Sequence, residues 1–208
     1  MMDTCTGYKD RAIASLEGKW GDAAIATLIY MLITSGVGLF MNLTIFRNAS
    51  FLWTLATIQL AWGFIIIFLN VARGQEKIVL DQLFDGYRGN WSRILITMLL
   101  KMVYTVLWML LLIVPGIIKS YSYAMTEYIL KDDPEIAENA AIEKSMQMME
   151  GHKMELFLLD LSFIGWALLS ILSCGIGFFF LEPYMCTARA HFYEDLKQET
   201  PREAFING

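Results

Sequence analysis

Residues 94–130 read ILITMLLKMVYTVLWMLLLIVPGIIKSYSYAMTEYIL, a run of thirty-seven positions that is apolar almost throughout. As one α-helix it would be about 55 Å long, nearly twice the roughly 30 Å hydrocarbon core of a bilayer. The run is therefore expected to reverse. Pro115 and Gly116 mark the place, because proline lacks an N–H and clashes with the preceding turn. On this reading 94–114 crosses outward and 117–130 returns. The return is about 21 Å long, tilted into protein or crossing only in part. One long kinked helix is the competing reading.

The flanking sequence supplies further spans. Residues 23–41 and 51–71 carry no charge, and each is long enough to cross a bilayer. The short connection NLTIFRNAS at 42–50 makes them a hairpin. Residues 154–173 form another apolar stretch, interrupted by Asp160. A turn at Cys174-Gly175-Ile176-Gly177 then leads back through 178–196. The expectation is an all-α, polytopic transmembrane helical bundle forming a single domain, 1–208. It has about six spans in three helical hairpins, at about 20–73, 91–131 and 152–196. Gly18-Lys19-Trp20, Gly89-Asn90-Trp91 and Gly151-His152-Lys153 each precede a hairpin, and VPGI and SCGI turn the last two, which suggests an internal repeat.

Two segments read as interfacial amphipathic helices. In 75–88 the residues Leu80, Phe84 and Tyr87, continued by Trp91, share one face, with Asp81, Asp85 and Arg88 elsewhere. A linker packed on neighbouring spans is the alternative. In 134–150, Asp132-Asp133-Pro134-Glu135 has the form of a helix start, with an Asp cap, Pro at the first position and an acidic first turn.

Charge sorts these segments across the membrane. With the N-terminus inside, of the 16 Lys and Arg only Arg47 and Lys119 fall outside and Lys101 within a span. That asymmetry predicts that both termini lie in the cytoplasm. The first 22 residues are polar, so the first span is expected to be a retained anchor rather than a cleaved signal. Composition agrees: 56% of residues are apolar and 18% charged, against about 45–50% and about 25% in soluble domains. A net charge of −5 offers no field for nucleic acid. Three cysteines, Cys5, Cys174 and Cys186, read as free thiols.

Together LLLIVPGIIKSYSYAMTEYILKDDPEI, EKSMQMMEGHKMELFLLDLSFIGWALL and CGIGFFFLEPYMCTARAHFYEDL resemble the bacterial integral-membrane family catalogued as domain of unknown function 975. The likeness is dense from residue 107 to 196 and looser before it. Departures are Met154, where an aromatic is commoner, and Glu127, where Pro is common. The PGI turn is also similar, more distantly, to membrane domains fused to glycerophosphodiester phosphodiesterases. The resemblance implies a multi-span helical protein of the bacterial inner membrane and brings no site residues with it.

Ionisable groups inside a membrane are the first place to look for function. Lys101, Glu127, Asp160 and Arg189 lie on four different spans, roughly 6–12 Å in from the cytoplasmic side by helix rise. They read either as a polar pocket for a lipid headgroup or anionic solute, or as structural ion pairs. Glu182, followed by Pro183, is a candidate polar site on the outer side. His191 with Glu194 has the spacing of half a metal site, and Asp132, Asp133 and Glu135 could face a cation, although capping accounts for them. There is no phosphate loop, HExxH, GxSxG or paired CxxC motif. The expectation is a protein that is not an enzyme, with no cofactor or metal. It would be a structural or accessory membrane component contacting lipids, a protein partner or a second copy of itself. The alternative is a small-solute or lipid transporter or binding protein using the charged cluster.

Overall fold

Among the residues described by the computed structural model, 4–39, 50–88 and 91–206, the chain is helical and has no strand. Residues 42–49 of the expected connection, with Arg47, and the Gly89-Asn90 pair lie outside them. In chain order the elements are α1 (Cys5–Leu16), α2 (Trp20–Met31), α3 (Ser50–Ala72), a 3₁₀ segment (Leu80–Tyr87), α4 (Trp91–Leu111) and α5 (Ile113–Ser122). They continue with α6 (Thr126–Asp132), α7 (Glu138–Met148), α8 (Lys153–Leu161), α9 (Ile164–Leu172) and α10 (Phe178–Ile206). A π-helical stretch, Leu32–Gly36, follows α2.

Among the described residues, four helical stretches are long and apolar enough to cross a membrane: Trp20–Leu39, Leu55–Ala72, Trp91–Leu111 and Lys153–Leu172. The two other expected crossings differ in kind. The return after α4 is divided into α5 and α6, neither long enough alone. The last helix, α10, is 29 residues long but carries Glu182, Arg189, His191, Glu194, Asp195 and Lys197.

The reversal in the long apolar run falls at Leu112, whose φ of −159° and ψ of 134° end the helix. That is three residues before Pro115, which sits in the first turn of α5, where a missing N–H costs nothing. Beyond the turn Gly116 lies against Met109; a Cβ there would approach Met109 Cγ to 2.6 Å and its Cα to 2.8 Å. Gly177 lies the same way on Ser170, where a Cβ would come within 2.5 Å of Oγ and 2.7 Å of Cα. Each glycine contacts the residue seven positions earlier, so both hairpins close by the same backbone approach. Gly18 and Gly151, with φ of +74° and +84°, likewise occupy equivalent turns ahead of α2 and α8.

The break between α5 and α6 has its own partner. The fully buried Ser145 on α7 accepts from the Met125 N–H at 3.1 Å and donates to the Ser122 carbonyl at 2.9 Å. Two backbone groups freed by the break are thereby satisfied inside the protein. The helix α7 begins at Glu138 with Ala137 as its cap residue, not at Pro134. The expected Asp cap is spent elsewhere. Asp132 ends α6 and binds cations, while Arg93 takes the carbonyls of Leu130, Asp133 and Ile136 at 3.0–3.2 Å.

Helix α3 is the centre of the core. Ile66, Ile67, Phe68 and Leu69 are completely buried on all sides of it, and α1, α2, α4, α6, α10 and the 3₁₀ segment all pack on it. The expected interfacial helix 75–88 is a 3₁₀ segment laid along α3, burying Leu83 while its Leu80, Phe84 and Tyr87 stay exposed. The polar N-terminus forms α1. It buries Tyr8, Ala12 and Leu16 at four-residue spacing, with Tyr8 set edge-on to Phe192 of α10. The hairpin ends are the opposite case: Leu110 and Leu172 are 78% and 79% exposed, as expected of surfaces covered by lipid.

Candidate functional site

A cavity of about 380 Å³ opens between the last two hairpins, lined by Lys101, Glu127, Asp160 and Arg189 with Tyr121 and Cys186 among the other residues. All four expected intramembrane charges thus meet at one place. They are arranged as two ion pairs. Lys101 Nζ donates to Glu127 Oε1 at 2.5 Å, from α4 to α6. Arg189 on α10 donates to Asp160 on α8 through Nε at 3.0 Å and through the second nitrogen at 2.9 Å. The second pair has the two-pronged geometry that makes guanidinium–carboxylate contacts strong. Each pair joins the outgoing and returning limbs of one hairpin, with the sign order reversed between hairpins.

Tyr121 links the first of these hairpins to the Arg189–Asp160 pair of the second. From α5 its hydroxyl donates to Asp160 Oδ2 at 3.1 Å, and its ring stands edge-on to Phe157 at 5.8 Å. The word SYSY concealed this role, since a tyrosine in a span is equally suited to the bilayer boundary. Glu127 Oε2 is buried and has no hydrogen-bond partner among the described residues.

The other candidates are placed separately. Glu182 lies on α10, half-buried and making no hydrogen bond among the described residues, and Pro183 sits inside a continuous helix. His191 and Glu194 turn to different partners. Arg11 donates to His191 Nδ1 at 3.4 Å, which leaves Nε2 to donate to Ser15 Oγ at 2.9 Å. Glu194 binds Arg73 at 2.7 Å.

Asp132 is the hub of a second polar group. It accepts from Arg73 at 2.7 and 2.8 Å, Tyr193 at 2.9 Å and Lys197 at 2.5 Å, tying the ends of α3 and α6 to α10. Asp133 Oδ1 accepts from the Glu135 N–H at 3.4 Å, a local turn. Burial alone would raise the Asp132 carboxyl, but the hydrogen bonds from Lys197, Arg73 and Tyr193 hold it below its ordinary value. Its stabilising contribution is therefore present above the ordinary carboxylate range and lost as pH falls through the depressed value. Unfolding monitored against pH in detergent is expected to show an acid limb that Asp132→Asn flattens. An unchanged limb would assign the acid loss to other carboxylates.

Residues 109–200, somewhat less than half of the chain, match the family described as "Protein of unknown function (DUF975)". No curated protein and no solved structure shows significant similarity.

Proposed function

We propose that this chain is a non-catalytic, multi-pass protein of the bacterial inner membrane, acting as a structural or accessory component in contact with lipid. One observation carries the reading. Each charge of the cavity is matched by an opposite charge on the other limb of its own hairpin. Groups neutralised in this way hold helices together, and none is left poised as an acid, a base or a nucleophile. The broad exposed apolar surface of α2, α4, α8 and α9 supports lipid as the surrounding medium. The antiparallel return of α5 and α6 along α4 and of α10 along α8 and α9 supports six crossings with both termini in the cytoplasm.

The cavity itself favours a second reading, a binding protein or transporter for a lipid or small solute. Cys186 lines it and separates the two. With Cys5→Ser and Cys174→Ser in place, membranes are treated with a polar, membrane-impermeant thiol reagent from either side. The accessory reading expects Cys186 to stay unlabelled in the folded protein and to label after denaturation. Rapid labelling of the folded protein would establish a water-filled path and replace it with the second reading.

A further inference from the structure

A second cavity, of about 360 Å³, lies at the start of α4 and is lined by Trp62, Asp85, Arg88, Arg93, Ile94, Leu130, Lys131 and Pro134. Three cations line it with Asp85, and Arg88 also donates to Asp81 at 2.7 Å, so cations still outnumber the carboxylates they face, unlike the balanced pairs of the first cavity. Asp85 is held loosely between two of them, 3.5 Å from Arg88 and 3.7 Å from Lys131. Lys131 also stands 5.9 Å from the centre of the Trp62 ring. Arg93 is fixed by three backbone carbonyls, while its Nε is buried without a partner.

We propose that this basic cavity binds the phosphate group of an anionic phospholipid. Four features converge on that chemistry. The excess of cations sets the sign. The first turn of the 21-residue α4 contributes Arg93 and the positive end of the helix dipole. The walls formed by Trp62, Ile94, Leu130 and Pro134 are apolar, which suits a ligand that continues into acyl chains. The location is the beginning of a membrane-crossing helix, beside the half-exposed Trp91. Basic pockets between spans at the membrane surface are a recurrent way of holding anionic headgroups. Asp85 then acts as an internal counter-ion that the phosphate displaces from Lys131 and from its longer contact with Arg88, which keeps Asp81 as a partner.

The test uses the full-length protein in mild detergent, supplied with equimolar phosphatidylglycerol and phosphatidylcholine, with bound lipid counted by native mass spectrometry. The wild-type protein is expected to retain phosphatidylglycerol preferentially. Each cation removed should reduce that preference about fivefold, and Arg88→Gln with Lys131→Gln together roughly 25-fold. Asp85→Asn, which removes the competitor and no ligand contact, should strengthen retention, and it guards against loss through misfolding. Inorganic phosphate is added in a parallel series. Displacement of the lipid by phosphate at millimolar concentration would assign the same site to a soluble phosphorylated compound. Equal retention of both lipids by the wild-type protein, or a preference unchanged in the double variant and in Asp85→Asn, would overturn the proposal.

Discussion

Replacing Glu127 by alanine is expected to destabilise the protein by about 3 kcal/mol, because it strands the Lys101 ammonium in a largely buried site. The figure is at the low end for a broken buried pair, since one fifth of the Lys101 side chain remains exposed and can reach outward. Lys101→Ala should cost a similar amount by stranding the Glu127 carboxylate. Replacing both by apolar residues of like volume, Lys101→Met with Glu127→Leu, should recover all but about 1 kcal/mol, since an ion pair contributes little beyond a well-packed apolar contact. Unfolding in detergent of the two single variants and the double measures the coupling directly. Additive losses would show that the pair is not a structural unit.

The pairing also predicts which charge exchange works. Lys101→Glu with Glu127→Lys keeps opposite charges across α4 and α6 and is expected to fold. Lys101→Asp with Asp160→Lys sets like charges against Glu127 and against Arg189, and is expected to fail. From the sequence alone the second exchange looked as natural as the first, because four charges at similar depths do not declare their partners. Only the closing of each hairpin on itself does.

The second large effect is expected at Ser145. Its hydroxyl serves two backbone groups at the break between α5 and α6. Ser145→Ala leaves the Met125 N–H and the Ser122 carbonyl buried without partners, at a cost of about 2–4 kcal/mol. Hydrogen exchange at Met125 should accelerate in the folded variant while amides in α3 keep their protection. If stability and the Met125 exchange rate were both unchanged, the break would have to be satisfied by another group. Ser145→Thr retains the hydroxyl and separates the loss of the bonds from a general disturbance of α7.

Much of the architecture could be read from the residues. The uncharged run at 23–41 and the long run ending at Pro115 can hardly exist in water, and both contribute helices long enough to cross a bilayer. The turn before α10 was legible because Cys174 and Gly175 take φ of +55° and +87°, and Gly175 is suited to such a conformation. The chain reversal was legible as an event, but its position was not. Pro115 disfavours a continuous helix without stating whether the helix ends before it, ends at it or only kinks, and the contact of Gly116 with Met109 requires the earlier stop. Similarly, Asp132 has the chemistry of a helix cap and of a cation ligand. Arg73, Lys197 and Tyr193, distant in the chain, decide between them. The helix α1 was missed because a stripe of Tyr8, Ala12 and Leu16 in a polar segment is too weak to notice without the α10 surface that covers it.

By itself the sequence determined the solvent of this protein, its helical class and the set of charges that would have to be accommodated away from water. These follow from the length and polarity of contiguous segments, which are local properties. Tertiary structure decided how the charges pair, where the returning helix breaks and what satisfies the break. It also left one cavity neutral and another with an excess of positive charge. Those outcomes depend on which side chains distant parts of the chain bring within about 3 Å of one another, and no periodicity along the chain encodes that distance.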